Sequence, residues 1–106
     1  MKYSDRVLKK LKALSDKTRL EIVSLLIDKK ICVCELSKIL KMSQPRISRH
    51  LKILTESGIL KYEKVAQKVF YYINRKDKTN KSIINLIERE LYEERKNKSP
   101  VCVCRK

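Results

Sequence analysis

Apolar positions along the chain follow a helical period over most of its length and a strand period over one short stretch. Val7, Leu8, Leu11 and Leu14 form one stripe of a helix from Ser4 to about Leu14, with Lys9, Lys10 and Lys12 opposite. Ser15-Asp16 interrupts that pattern and can cap a second helix, Lys17 to about Ile27. Its apolar residues run around the whole circumference, which predicts a central, buried element. After the break at Asp28-Lys29-Lys30, the stretch Ile31–Ile59 reads as two short helices and a tight turn. Leu36, Ile39 and Leu40 give the first its apolar face; Ile47, His50, Leu51 and Leu54 give the second. Lys41-Met42-Ser43 makes the turn. Ser43 is placed as N-cap, Pro45 falls in the first turn where no helical N–H is lost, and Gly58 suits the position just past the end.

Two helices joined this way form a helix-turn-helix when the second presents polar side chains. Here Ser43, Gln44, Arg46, Ser48, Arg49 and Lys52 fall on its outer side, residue types that bond base edges and phosphates. Ile59–Glu63 and Lys68–Asn74 then read as two strands around a short turn, rich in Tyr, Val and Ile. The second strand has two possible inner faces, Val69/Tyr71/Ile73 or Phe70/Tyr72. A basic hairpin after a recognition helix is a wing, expected to lay Lys64 and Lys68 along phosphates. From Asp77 the helical period returns with Ile83, Ile84, Ile87 and Leu91 as its stripe. The predicted class is mainly α with a small β-hairpin, a winged helix-turn-helix over residues 1–96, followed by a flexible Cys-containing tail over 97–106. The first and last helices keep apolar faces for a partner, so Val7, Leu8, Leu11, Ile83, Ile84, Ile87 and Leu91 predict a homodimer matched to palindromic DNA.

Charge sharpens this picture. The 106 residues carry 27 Lys and Arg against 12 Asp and Glu, a net +15, and a polyanion is the partner such an excess implies. The excess is steepest across residues 36–75, where the predicted DNA-reading elements lie. The longest near-apolar run is Ile22–Ile27, too short to span a bilayer, and no stretch joins a long apolar face to a basic one. No membrane partner and a cytoplasmic location are therefore expected. The recognisable RNA-binding modules do not appear either.

Cysteine supplies the candidate chemistry. Four Cys form two Cys-Val-Cys pairs, Cys32/Cys34 and Cys102/Cys104, unlike the spread framework of a secreted disulfide scaffold. A thiol oxidoreductase is disfavoured: there is no Cys-x-x-Cys, no βαβ context and no base beside a nucleophile. No enzyme activity and no organic cofactor are expected. Soft ions select thiolates, and a helix N-terminus with Lys29 and Lys30 nearby should lower the pKa of Cys32 and Cys34. In an ideal helix residues i and i+2 point about 200° apart, so both sulfurs reach one ion only if the first turn is unwound or displaced. The third thiolate that trivalent arsenic or antimony takes would come from Cys102 or Cys104, on the same subunit or across the dimer. Cd(II), Pb(II) and thiol oxidation are the alternative inputs.

The chain resembles the arsenic-repressor (ArsR/SmtB) family of winged-helix metalloregulators. The resemblance rests on Leu14-Ser15-Asp16-Lys17-Thr18-Arg19-Leu20, on Ile31-Cys32-Val33-Cys34-Glu35-Leu36, on Ser43-Gln44-Pro45-Arg46-Ile47-Ser48-Arg49-His50-Leu51 and on the Tyr-rich wing strand. It covers about residues 8–75. It implies a homodimeric repressor that leaves double-stranded operator DNA when As(III) or Sb(III) binds the Cys-Val-Cys box. Three departures stand out. Ser37 occupies the place of a third Cys in some arsenic-responsive members. The wing turn Val65-Ala66-Gln67 lacks Gly. Asp77 lies where zinc-responsive members place ligands, but no His accompanies it, and His50, the one His, falls on an inward phase that suits a structural hydrogen bond.

Overall fold

The computed structural model describes residues 2–97. In order the elements are α1 (Lys2–Leu14), α2 (Lys17–Leu26), β1 (Ile31–Cys32), α3 (Val33–Leu40), α4 (Gln44–Glu56), β2 (Leu60–Val65), β3 (Lys68–Ile73) and α5 (Lys78–Asn97). The predicted class holds: a mainly helical winged helix-turn-helix. The tail is another matter, because residues 98–106, Cys102 and Cys104 among them, lie outside the described residues.

The ends of α2, α3 and α4 are delimited by local chemistry. Asp16, in extended conformation, caps α2 by accepting the backbone N–H of Arg19 at 3.1 Å, and Ser43 caps α4 by accepting that of Arg46 at 3.4 Å. The end of α4 is a Schellman motif. Gly58, at φ +89°, sends its N–H to the Thr55 carbonyl (3.0 Å), and Ile59 sends its own to the Leu54 carbonyl (3.2 Å). A Cβ on Gly58 would also stand 3.0 Å from the Lys10 ammonium. Lys41 takes the left-handed position at the end of α3, and the Met42 N–H reaches back to the Ser37 carbonyl at 3.1 Å. The Ser37 hydroxyl donates to the Met42 carbonyl, so the residue in place of a third Cys braces the turn.

The sheet differs from the expected hairpin. It has three strands in the order β1-β3-β2, and the added strand is Ile31–Cys32, which sequence periodicity had placed in a helix. Ile31 lies opposite Tyr71 and Cys32 opposite Phe70. This pairing also settles the phase of β3: Tyr71 and Ile73 face the core with Ile31, while Phe70 and Tyr72 share the outer face with Cys32. The wing turn closes on two residues, Ala66 and Gln67, between the paired Val65 and Lys68. Ala66 takes the positive φ (59°) that glycine usually supplies in such tight turns.

The core joins Ile22, Val23 and Leu26 of α2 to Leu36 of α3, Ile47, Leu51 and Leu54 of α4, and Ile59 and Leu60 at the entry to the wing. Two expectations need correction. Leu20 lies 40% exposed, so α2 is not buried all round. Lys10, expected on the solvent face of α1, is 4% exposed: its ammonium reaches Asp77 (3.1 Å), Asn80 Oδ1 (3.0 Å) and the Ser57 carbonyl (3.2 Å). Asn80 completes this buried knot by donating to the Gly58 and Asn74 carbonyls, both at 2.9 Å. The end of α4, the end of β3 and the start of α5 are thereby tied to α1.

Candidate nucleic-acid interface and thiol site

Because α4 turns Ile47, Leu51 and Leu54 inward, its other faces are left to solvent. Ser43, Gln44, Arg46, Ser48, Arg49 and Lys52 are all exposed, as are Lys64 and Lys68 on the wing. None of these cations forms an ion pair among the described residues. Lys64 is paired with Val69 and Lys68 with Val65, so the two lysines leave opposite faces of the hairpin and together flank its tip. A rod-like, apolar-backed helix with free cations and a cationic hairpin beside it is suited to a groove flanked by phosphates.

Half-buried His50 holds α4 against α2. Its Nδ1 lies 3.2 Å from Arg19 Nη1, and Arg19 also donates through Nε to the Ala13 carbonyl at 2.5 Å. A guanidinium only donates, so Nδ1 accepts and His50 is neutral there. Burial, reinforced by Arg19, Arg46 and Arg49 against the opposing pull of Asp16, holds its pKa below the ordinary value. This is the structural hydrogen bond expected of an inward His.

The thiol pair shows the largest departure from the sequence argument. Cys32 and Cys34 are free thiols, with Cys32 buried and Cys34 half-buried, and their sulfurs lie 3.3 Å apart. The opposed directions expected for i and i+2 apply only when both residues are helical. Cys32 is not: at φ −89° and ψ 164° it belongs to β1 and serves as the N-cap residue of α3. No unwinding is needed to bring the sulfurs together. The neighbouring cations also differ. Lys30 bonds Glu63 at 2.7 Å and lies over the Tyr72 ring at 5.0 Å, whereas the cation that acts on Cys32 is Lys68. Burial raises the Cys32 pKa and the Glu35 carboxylate, 4.0 Å from its sulfur, adds to this. The Glu35 backbone N–H, the Cys34 thiol and Lys68 outweigh both, leaving the pKa below the ordinary value.

Among the described residues no three His, Cys, Asp or Glu side chains cluster as a complete metal site. Asp77 is engaged by Lys10, whose ammonium holds its carboxyl below the usual range. Two thiols fit a soft ion as donors and leave one position for a further thiolate.

The apolar faces divide unevenly. Val7, Leu8 and Leu11 of α1 are exposed, while Ile83, Ile87 and Leu91 are half-buried against the core. Ile84 is 3% exposed and packs within its own subunit, which removes it from the candidate interface. Sequence periodicity missed Leu86, which is 60% exposed and lines a groove of about 550 Å³ with Leu20, Leu25, Leu40, Ile87 and Leu91.

Residues 16–62 match the model of the family described as "Bacterial regulatory protein, arsR family". The chain is 45% identical over 78 residues to an uncharacterized HTH-type transcriptional regulator of Methanocaldococcus jannaschii, covering 73% of this chain and 85% of that one. It is 48% identical over 64 residues to the arsenical resistance operon repressor of Escherichia coli K12, covering 59% of this chain and 55% of the repressor. The solved structure of HlyU from Vibrio cholerae superposes with a TM-score of 0.76 at 36% identity, covering 83% of this chain and 94% of that one.

Proposed function

The chain belongs to the arsR family of bacterial regulatory proteins, DNA-binding transcriptional regulators, and from that premise we propose that it is a homodimeric repressor released from its operator by trivalent arsenic or antimony. The observation that carries the effector is the 3.3 Å separation of the Cys32 and Cys34 sulfurs. Cys32 and Cys34 would hold a soft ion as a pair of thiolate donors, and an ion that takes three thiolates would need one more. When bound, such an ion supplies strong bonds to three thiolates, and the third is proposed to come from Cys102 or Cys104. The arsenical repressor of E. coli lends the reading further support.

Coupling follows from where the thiols stand. Cys32 pairs with β3 of the wing, and Cys34 lies in the first turn of α3, which packs on α4. Drawing a third thiolate toward this pair biases both DNA-reading elements at one point. The coupling is reciprocal, with a typical size of about 1–3 kcal/mol. The same close pair supports a second reading, oxidation of the two thiols to a disulfide, with two electrons and two protons passing to an oxidant. Cd(II) or Pb(II) as inducer is a variant of the first.

Titrating As(III), Sb(III), Cd(II), Pb(II) and a peroxide into the reduced operator complex separates these readings. Cys32→Ser and Cys34→Ser should bind operator nearly as well as wild type and fail to release it with As(III). The double change Cys102→Ser/Cys104→Ser should weaken arsenic binding and induction. Normal induction in Cys32→Ser and Cys34→Ser would reduce the box to packing and end the metal reading.

A further inference from the structure

A second cleft lies between the loop that follows α2 and the end of β3, with a volume of about 400 Å³, within the size range of small-molecule sites. Five cations, Lys29, Lys30, Lys61, Arg75 and Lys76, share its lining with a single carboxylate, Asp28. That ratio is well above the 27 to 12 of the whole chain, so the cleft is not merely a sample of a basic surface. Tyr72, Leu26, Ile27 and Ile73 supply its apolar lining, and Arg75 is fixed there by donating to the Ile27 carbonyl. Lys29, Lys61 and Lys76 form no ion pair among the described residues.

The cleft is separate from the DNA-reading surface. None of its walls comes from α3, α4 or the wing turn, and Lys61 lies four residues from Val65, about 13 Å along the strand. We propose that this cleft binds a small polyanion, a metabolite carrying at least two phosphate or carboxylate charges. Such a ligand would draw Lys30 from Glu63 and press on the loop that enters β1 two residues before Cys32. The regulator would thereby have a second input.

Amide NMR and calorimetry of the full chain bound to operator, titrated with pyrophosphate and in a parallel arm with citrate, test this. The expected result is saturable binding of one anion per chain, with shifts at Tyr72, Ile73 and Asn74. The arm that binds more tightly identifies the phosphate or the carboxylate source. Lys61→Glu/Lys76→Glu should weaken binding by at least about tenfold and leave the salt dependence of operator binding unchanged. Non-saturable shifts spread over all lysines would overturn the proposal. So would a markedly shallower salt dependence in the double variant, because the cleft would then be a DNA contact.

Discussion

Lys10 shows at single-residue scale what a helical period does and does not reveal. It sits in the polar stripe of α1 beside Lys9 and Lys12, and nothing local distinguishes the three. Its partners Ser57, Asp77 and Asn80 lie 47 to 70 positions away, so its burial depends on tertiary structure. Lys10→Met keeps the packing of the stem but leaves the Ser57 carbonyl and Asn80 without their donor. The expected loss is about 2–3 kcal/mol, a fall in Tm of roughly 10 °C. A second readout is acid stability. The Asp77 carboxyl is held below its unfolded value by Lys10, so its contribution is fully present above about pH 3.8 and fades as pH falls through the lower folded value. Urea unfolding between pH 6 and 2.5 should show a shallower acid loss in Lys10→Met than in wild type. An unchanged acid limb would mean that the ion pair contributes nothing.

Elements were legible in proportion to their length and their caps. The recognition helix carries three full turns of apolar period, a Ser cap, an early Pro and a closing Gly, and each signal acts within the segment itself. The strand β1 has two residues and no alternation; only the distant β3 makes it a strand. The geometry of the thiol pair was lost to the sequence for the same reason, since helical phase was applied to a residue that caps the helix. The wing was legible as a hairpin despite its turn, in which Ala66 holds a left-handed conformation unfavourable by about 1–2 kcal/mol to a residue with a Cβ. Ala66→Gly relieves that strain against the glycine's greater freedom when unfolded. A net gain of about 0.5–1 kcal/mol is expected, with Tm a few degrees higher and operator affinity intact. A lower Tm would place the turn in a different conformation.

At the scale of the whole molecule, composition indicated the kind of partner and periodicity the faces left for a second copy. Periodicity erred at Ile84 because a stripe along α5 must serve its own core and a neighbour, and the division depends on the helix's rotation in the fold. Leu11, 53% exposed, is the sounder probe. Leu11→Glu should yield a monomer by analytical ultracentrifugation and weaken operator binding; a variant dimeric at micromolar concentration would place the interface elsewhere. With Arg46, Arg49, Lys52, Lys64 and Lys68 exposed on each subunit, on the order of 6–10 phosphate contacts per dimer are expected. The slope of log K against log salt should then lie at roughly −5 to −9, and a value near zero would remove the electrostatic basis of the DNA reading.

The close approach of Cys32 and Cys34 also has a kinetic consequence. A site that had to melt a helical turn before closing would load through a rate-limiting opening step, and its observed rate would level off as the ion concentration rose. Two sulfurs gathered 3.3 Å apart at the junction of strand and helix need no helical turn to melt, and half-buried Cys34 offers the first sulfur to an incoming ion. Stopped-flow thiolate absorbance should therefore rise with a rate linear in As(III) concentration and with little dependence on denaturant. A plateau would show that the pair opens and closes before capture. Linear loading would make encounter of the ion with this pair, ahead of any third thiolate, the event that starts the response.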